Sequence, residues 1–424
     1  MSLLLIIFTS WILCIIAVYL KESQLIKRTW QEPYFANTPI LIESDDWGPG
    51  GAFQAERLSQ LLARLESHKD SVNRAAVFTA NIVLSVPDIN KIVADPNFTY
   101  HRIMLNEGYP EIYQTMLTGI NADLFVPQLH GLEHLNGEAF ARLCQQNDPR
   151  IAAAVSDPHN WDWESLDSPL QGHYVDGSYL PTQAIRPEEA QTTIAIASKT
   201  FQELFGYPSI STVAPCYLWN SNIESIWQHN AIQIIQTASY RCDGRDENGK
   251  YHQDRQLIRP GDLSDCGQAY LVRNVMFEPV DGRNTPDTAY HEALSSYLQA
   301  LPVSISTHRY NYTRSEESFR NSLNGLDLLL SNIRKTFQDV RFVSSPELGE
   351  QILTANAPIT NHFNNAQWPP LKYLTGINKI APFLTRLYVR HQKLGLLAYL
   401  TGLIIPAWLI CKLANPKKLK RGNR

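Results

Sequence analysis

Pro39-Ile40-Leu41-Ile42-Glu43-Ser44-Asp45-Asp46-Trp47-Gly48 is a short apolar run that ends in acids. A run of this length reads as a buried strand, which leaves its acids at the rim of a core. A second cluster, Pro127-Gln128-Leu129-His130-Gly131-Leu132-Glu133-His134, follows the apolar run Leu124-Phe125-Val126 in the same way. One carboxylate and two imidazoles make a three-ligand set for a divalent metal, with a coordination position left open. The neighbouring carboxylate is then placed to take a proton from water. On a helix, the i,i+4 spacing of His130 and His134 puts both rings on one face and turns Glu133 away from it.

Outward from these clusters, strands and helices alternate. A helical pattern over 52–68 carries Leu58, Leu61, Leu62 and Leu65 on one face. Strands are expected at 76–79 and 124–127, a helix over 134–146, and an aromatic, polar loop over 157–179. Pro187-Glu188-Glu189 opens a helix, with proline in the first turn and acids at the positive end of the dipole, and Gly206 closes it. Later strands are expected at 211–216, 232–237, 270–277, 303–307 and 340–344. Helical patterns fall at 221–229, 287–301, 315–337 and from Pro346. This alternation argues for a parallel sheet with helices outside it. The residues suited to chemistry fall just after strands, where such folds place their sites. His308, in Ile305-Ser306-Thr307-His308-Arg309-Tyr310, closes a late strand that returns beside the first, and an imidazole there can protonate a leaving group.

The net charge of -4 is small for this length, and no basic stripe suggests a nucleic-acid partner. The six cysteines form no Cys-x-x-Cys, which argues against a structural zinc knuckle. Cys242 and Cys266 flank a polar insertion and are the pair available for a disulfide.

Both ends read as membrane segments. Met1 to Leu20 carries no charge, and about 20 apolar residues suffice to cross roughly 30 Å of hydrocarbon. It lacks the basic start and the small-residue cleavage site of a secretory signal, so an uncleaved anchor is expected. Leu394 to Cys411 is also uncharged, and Lys412, Lys417, Lys418, Lys420, Arg421 and Arg424 follow it. The positive-inside rule then makes the tail cytoplasmic and the intervening domain extracytoplasmic. The expected organisation is an anchor over 1–20, a linker over 21–38, one domain over 39–354, a linker over 355–393, a transmembrane helix over 394–412 and a basic tail over 413–424.

Asp45-Asp46, then His130 and His134, then His308, in that order after strands, resemble the polysaccharide deacetylase family, the NodB-homology carbohydrate esterases. The resemblance covers most of 39–348. It implies an α/β fold, a distorted (β/α) barrel, here flanked by the terminal helices, and removal of N- or O-acetyl groups from sugars. Carried over by position, it makes Asp46, His130 and His134 the ligands of a divalent metal, zinc above others, Asp45 the base and His308 the acid. The family's middle motif has its nearest match at Val213-Ala214-Pro215-Cys216-Tyr217-Leu218-Trp219-Asn220. There Val213 stands in the place of an arginine that orients the base, and Cys216 in that of a tyrosine whose N–H serves the oxyanion. Arg309 or Arg241 is the expected substitute for the arginine. The motif whose Asp and Trp support the acid has no match. Trp47, Trp161, Trp163, Tyr217 and Trp219 are the aromatics suited to stacking on sugar rings, and the 157–179 loop is the expected lid or wall. The substrate implied is a polysaccharide or a lipid-linked glycan at the bilayer. The alternatives are deformylation of a lipid-linked formamido sugar, and glycan binding without catalysis.

Overall fold

The computed structural model describes residues 2–253, 257–282, 284–354 and 369–420. Its centre is a curled, nine-stranded parallel sheet. The strands are β1 (Thr38–Trp47), β2 (Phe78–Ile82), β3 (Phe125–Leu129), β4 (Ser211–Thr212), β5 (Ile234–Thr237), β6 (Ala269–Val272), β7 (Val275–Met276), β8 (Val303–His308) and β9 (Val340–Val343). They run in the order β6-β5-β4-β3-β2-β1-β8-β7, with β9 paired to the first half of β1. The expected strand over 270–277 is broken at Arg273-Asn274. Its first half pairs with β5 and its second with β8, so one continuous segment bridges the two edges of the sheet. The result is a distorted barrel with helices outside.

The register sorts the interior into two layers. Side chains alternate across a strand, and Leu41↔Ser304, Glu43↔Ser306 and Asp45↔His308 are paired between β1 and β8. Glu43↔Thr79 and Asn81↔Gln128 extend the same face through β2 and β3. At the end where strands begin, that face is apolar: Leu41, Ile234, Ala269, Leu271 and Val343 pack with Leu348 and Ile352. Toward the end where strands finish it turns polar, with Glu43, Asn81, Gln128, Gln236, Arg273 and Ser306 all buried. The opposite face, with Ile40, Ile42, Phe78, Phe125 and Ile305, packs on the outer helices.

The helices are α1 (Ser2–Lys21), α2 (Ser23–Gln31), α3 (Ala52–Glu66), α4 (Pro110–Asn121), α5 (Gly137–Gln145), α6 (Pro187–Phe205), α7 (Ser221–His229), α8 (Pro286–Leu298), α9 (Glu316–Thr336), α10 (Ser345–Thr354), α11 (Ile380–Arg390), α12 (Gln392–Leu400) and α13 (Ile404–Ala414), besides shorter turns. Leu58, Leu61, Leu62 and Leu65 of α3 are buried, as their spacing requires. Gly206 ends α6 at φ 81°, the left-handed conformation in which glycine meets no Cβ penalty. The expected linkers are in part structured. Glu32, after α2, binds the buried Arg386 of α11 at 2.8 Å, and Arg390 reaches the same carboxylate at 2.7 Å. Residues 355–368 of the second linker lie outside the described residues.

Among the described residues no single helix is long and apolar enough to cross a membrane. The stretch expected to be one span over 394–412 is two helices, α12 and α13, bent by 111°, and α1 meets α2 at 66°. Gly402, at φ 74°, stands in the turn between α12 and α13 and permits the reversal.

β1 is longer than its sequence suggests, because Glu43 to Trp47 stay in the sheet. Gly48 ends it at φ 151°, where a Cβ would lie 2.1 Å from the Val83 carbonyl oxygen. Gly48→Ala therefore forces backbone apart at the β1–β2 end, and we expect a loss of about 1–3 kcal/mol, the usual cost of overpacking, in urea denaturation.

Candidate active site

The first acid pair is split by a local irregularity. Strict alternation would send Asp45 into the barrel and Asp46 out toward the helices. The β1–β2 register shifts between Ser44 and Trp47, and Asp46 adopts φ 73°. A bulge of this kind re-aims a side chain, and Asp is among the few residues that tolerate the left-handed region. Asp46 Oδ1 thereby reaches His130 Nε2 and His134 Nε2, each at 3.2 Å.

His130 and His134 are not on a helix. They lie in the loop after β3, and α5 begins only at Gly137. Gly131, at φ 84°, makes the turn, and a Cβ there would sit 2.7 Å from the Glu133 carbonyl oxygen. His130 Nδ1–H donates to the Val213 carbonyl at 2.9 Å, which fixes the tautomer and leaves the Nε2 lone pair free to ligate. Burial pushes the His134 imidazole below its ordinary value, toward the neutral form that ligates. Burial alone would raise Asp46, but the adjoining His134 and His130 outweigh it and hold the carboxyl well below its usual range. The ligand atoms of Asp46, His130 and His134 lie within 4.8 Å of one another, all buried. Two donors 3.2 Å apart match the spacing around one centre at about 2.0–2.2 Å. This donor set fits a zinc-like divalent ion.

Asp45 points inward and is held by Arg273, which follows β6. Nη1 donates to Oδ2 at 2.6 Å and Nη2 to Oδ1 at 2.7 Å, a two-pronged fork. Asn81 donates to Oδ1 at 2.7 Å, and its amide exchanges hydrogen bonds with Gln236. Burial opposes ionisation of Asp45, but the Arg273 charge outweighs it and lowers the carboxyl to about 2. Arg273 Nε also lies 3.3 Å from Glu43, whose oxygens accept from Ser304 and Ser345. Burial nevertheless raises Glu43.

His308 ends β8 with Nε2 3.8 Å from Asp45 Oδ2. Its Nδ1 meets Glu278 at 2.6 Å. Burial would lower the imidazole, but the Glu278 carboxylate beside it raises it to about 10. The ring remains 23% exposed and so opens to solvent at the mouth.

Other expectations are redistributed. Trp47 and Trp219 are buried in the core, their indole N–H groups donating to Ser44 and Glu224, so neither is available to stack on a sugar. Trp163 is also buried and stacks on the His134 ring, with centroids 4.0 Å apart. Tyr217 is half-buried, and its hydroxyl accepts from Arg273 at 2.7 Å. Cys216 and Tyr217 take φ 56° and 55°, and the Tyr217 N–H is committed to the Ala214 carbonyl. Burial pushes the Cys216 thiol up to about 12, which removes it as a nucleophile.

The substitute arginine is neither of those expected. Arg309 is buried against Asp162, Glu164 and the Pro49 carbonyl, and Arg241 binds Glu224. Arg309 thus ties the expected lid to the mouth, where burial raises Glu164 to about 7. Glu133 binds Arg102 at 2.6 Å, away from the histidines. Cys242 and Cys266 are free thiols. Sequence reading missed Arg273, Glu278, Asn81 and Gln236. Arg273 was hidden inside what reads as one strand, and no local period or punctuation marks the place where that run changes partners.

No protein-family model matches the chain, and neither does any curated protein. Similar solved structures include a putative polysaccharide deacetylase from Mycobacterium smegmatis, at 9% identity and TM-score 0.37, covering 79% of this chain and 96% of that one. A peptidoglycan deacetylase from Bacillus subtilis is similar at 11% identity and TM-score 0.35, covering 76% and 93%. A 4-alpha-glucanotransferase from Thermococcus litoralis is similar at 7% identity and TM-score 0.37, covering 74% of this chain and 40% of that one.

Removing Arg273 strands two buried carboxylates. Arg273→Met is expected to cost about 3–5 kcal/mol of stability, the usual penalty for breaking a buried pair. Arg273→Lys recovers part, because it keeps the charge without the fork. Asp45 is depressed in the fold, so its contribution is present above the ordinary carboxylate pKa of about 4 and is lost as pH falls toward the folded value. The gap between wild type and Arg273→Met in urea melts should therefore shrink below about pH 4. A gap that holds constant to pH 3 would discard this assignment.

Proposed function

We propose that the chain is a metal-dependent hydrolase that removes acetyl groups from the nitrogen or oxygen of a glycan. The observation that carries this reading is geometric: a carboxylate forked by Arg273, Asp45, and an imidazole held by Glu278, His308, stand beside one metal-ligand set, with Asp45 pushed down and His308 pushed up by those partners. At neutral pH the base is ionised while the acid is protonated, which acyl transfer to water requires. The glycan substrate class rests on the order and spacing of the motifs.

Asp46, His130 and His134 would hold a divalent ion, which when bound would supply a Lewis acid for the acyl carbonyl and for water. Asp45, its carboxylate plane fixed by the Arg273 fork, accepts the proton of the attacking water. The Cys216 N–H is the backbone donor we assign to the oxyanion, since that of Tyr217 is already used. His308, oriented through Nδ1 by Glu278, delivers a proton from Nε2 to the departing amine or alkoxide. Arg273 supports Asp45 even though Val213 stands where the family has its arginine, which favours a catalyst over a binding module.

Two measurements test this. Purified full chain should carry about one zinc or other divalent ion per molecule. His130→Ala and His134→Ala should lose it, while Asp45→Asn keeps it and loses deacetylation of acetylated glycan oligomers by about 10²–10⁴-fold. Metal retained in both alanine variants removes the site, and turnover of formylated but not acetylated substrates reassigns the acyl group. The second is a pH profile of Glu278→Gln. His308 is raised in the fold, so the stabilisation from Glu278 is full below the ordinary imidazole value of about 6.5 and is lost as pH rises through the folded value. The alkaline limb of kcat/KM should fall from near pH 10 toward about 6.5 in Glu278→Gln. An unmoved limb excludes His308 as the acid.

A further inference from the structure

The terminal helices cluster at the end of the barrel where strands begin, and they leave apolar side chains in the open. Leu5, Ile6 and Leu13 of α1 are 59–65% exposed, as are Leu396 of α12 and Ile405 of α13 at 59% and 63%. α1 has 20 residues and no charge before Lys21. At about 1.5 Å per residue its stretch from Leu5 to Lys21 covers only about 26 Å, and the one further turn from Ser2 brings the helix to roughly 30 Å, the thickness of the hydrocarbon. α12 and α13 have 9 and 11 residues, so each covers only about half that depth. A direct contact sets their relative height. Trp11, midway along α1, donates its indole N–H at 2.6 Å to the carbonyl of Thr401, in the turn between α12 and α13.

After α13 the chain comes back to the barrel. The Lys417 ammonium is buried and donates to the carbonyls of Ala36 and Asn37 at 2.8 and 2.6 Å, just before β1. The Tyr297 hydroxyl donates to the Lys418 carbonyl at 2.6 Å, and the Lys420 N–H to Thr336 at 2.8 Å. The tail is thus docked on the domain. Lys21 closes α1, Lys393 lies in the first turn of α12 and Lys412 in the last turn of α13. All three cations fall at the barrel-side ends of their helices, the level at which anionic lipid headgroups would meet them.

We propose that a lipid bilayer covers this cluster, with α1 traversing it and the α12–α13 hairpin entering to half depth and leaving on the side it came from. The barrel and the tail through Lys420 then share one face, and the chain before α1 lies on the other. On this proposal the tail as far as Lys420 lies with the barrel, in place of the opposite-face tail expected from a full second span, since its contacts hold it against the domain.

The test uses full chain in sealed phosphatidylethanolamine–phosphatidylglycerol liposomes and an impermeant maleimide. Cys266, free and exposed on the barrel, is the internal reference. Lys420→Cys should be labelled to the same extent as Cys266, and Ser2→Cys to the complementary extent. Lys420→Cys following Ser2→Cys would mean two full spans. Ser2→Cys following Cys266 would mean that α1 does not cross. Release of the chain by alkaline carbonate would mean no insertion. Each of these overturns the proposal, and none depends on turnover.

Discussion

A guanidinium inside the barrel governs the arrangement of the mouth. Arg273 faces Asp45 and Glu43 from the seam where the sheet's two edges are bridged, so one cation stands before two buried acids contributed by the same strand. Isolated, either carboxylate would protonate rather than stay charged at this depth. Two direct bonds keep Asp45 ionised, whereas the longer contact to Glu43 leaves burial in control there. The difference in distance therefore divides the acids into one held ionised and one governed by burial. Asn81 and Gln236 complete the polar layer and leave the fork no alternative geometry.

The rim above this layer departs from regular backbone at the positions of the candidate site. Asp46, Gly131, Cys216 and Tyr217 all have positive φ. Each non-glycine case costs on the order of 1–3 kcal/mol and persists only where the surroundings impose it. The gain is convergence: without the bulge after Ser44, Asp46 would face the outer helices instead of the two imidazoles. The two layers cooperate, because the polar interior fixes where β1 stops being regular and so where Asp46 emerges.

Much of this was legible in the sequence. The apolar run from Pro39 with its acids, the helix from Pro187 to its glycine stop and the strand ending at His308 each carry a local signal, period or punctuation, that packing did not override. Arg273 and Glu278 left no such signal. Each acts on a residue far away in the chain, Asp45 or His308, and only strand register brings the pairs together. The histidine pair misled for a related reason: its i,i+4 spacing suits a helix, but Gly131 allows a loop to present the same two rings. Trp47 and Trp219 illustrate the opposite error, since a large aromatic beside a site is more often core than ligand. The second terminal stretch has the hydropathy of a span, and hydropathy does not see the reversal at Gly402.

The mouth and the apolar terminal helices lie at opposite ends of the strands, and that separation bears on which glycan fits. β1 begins at Thr38, beside the buried Lys417, and reaches Asp45 after seven further residues; at about 3.3 Å per residue this is roughly 23 Å. On the membrane placement proposed above, an acyl group would have to stand up to that far from the headgroups to meet Asp45 and His308, less by the tilt of the strands. A sugar joined directly to a lipid carrier sits in the headgroup layer and falls short. A chain extended several sugars outward would reach it with its lipid end still in the membrane. If the proposed placement holds, reach alone would favour a polymer over a lipid-linked monosaccharide.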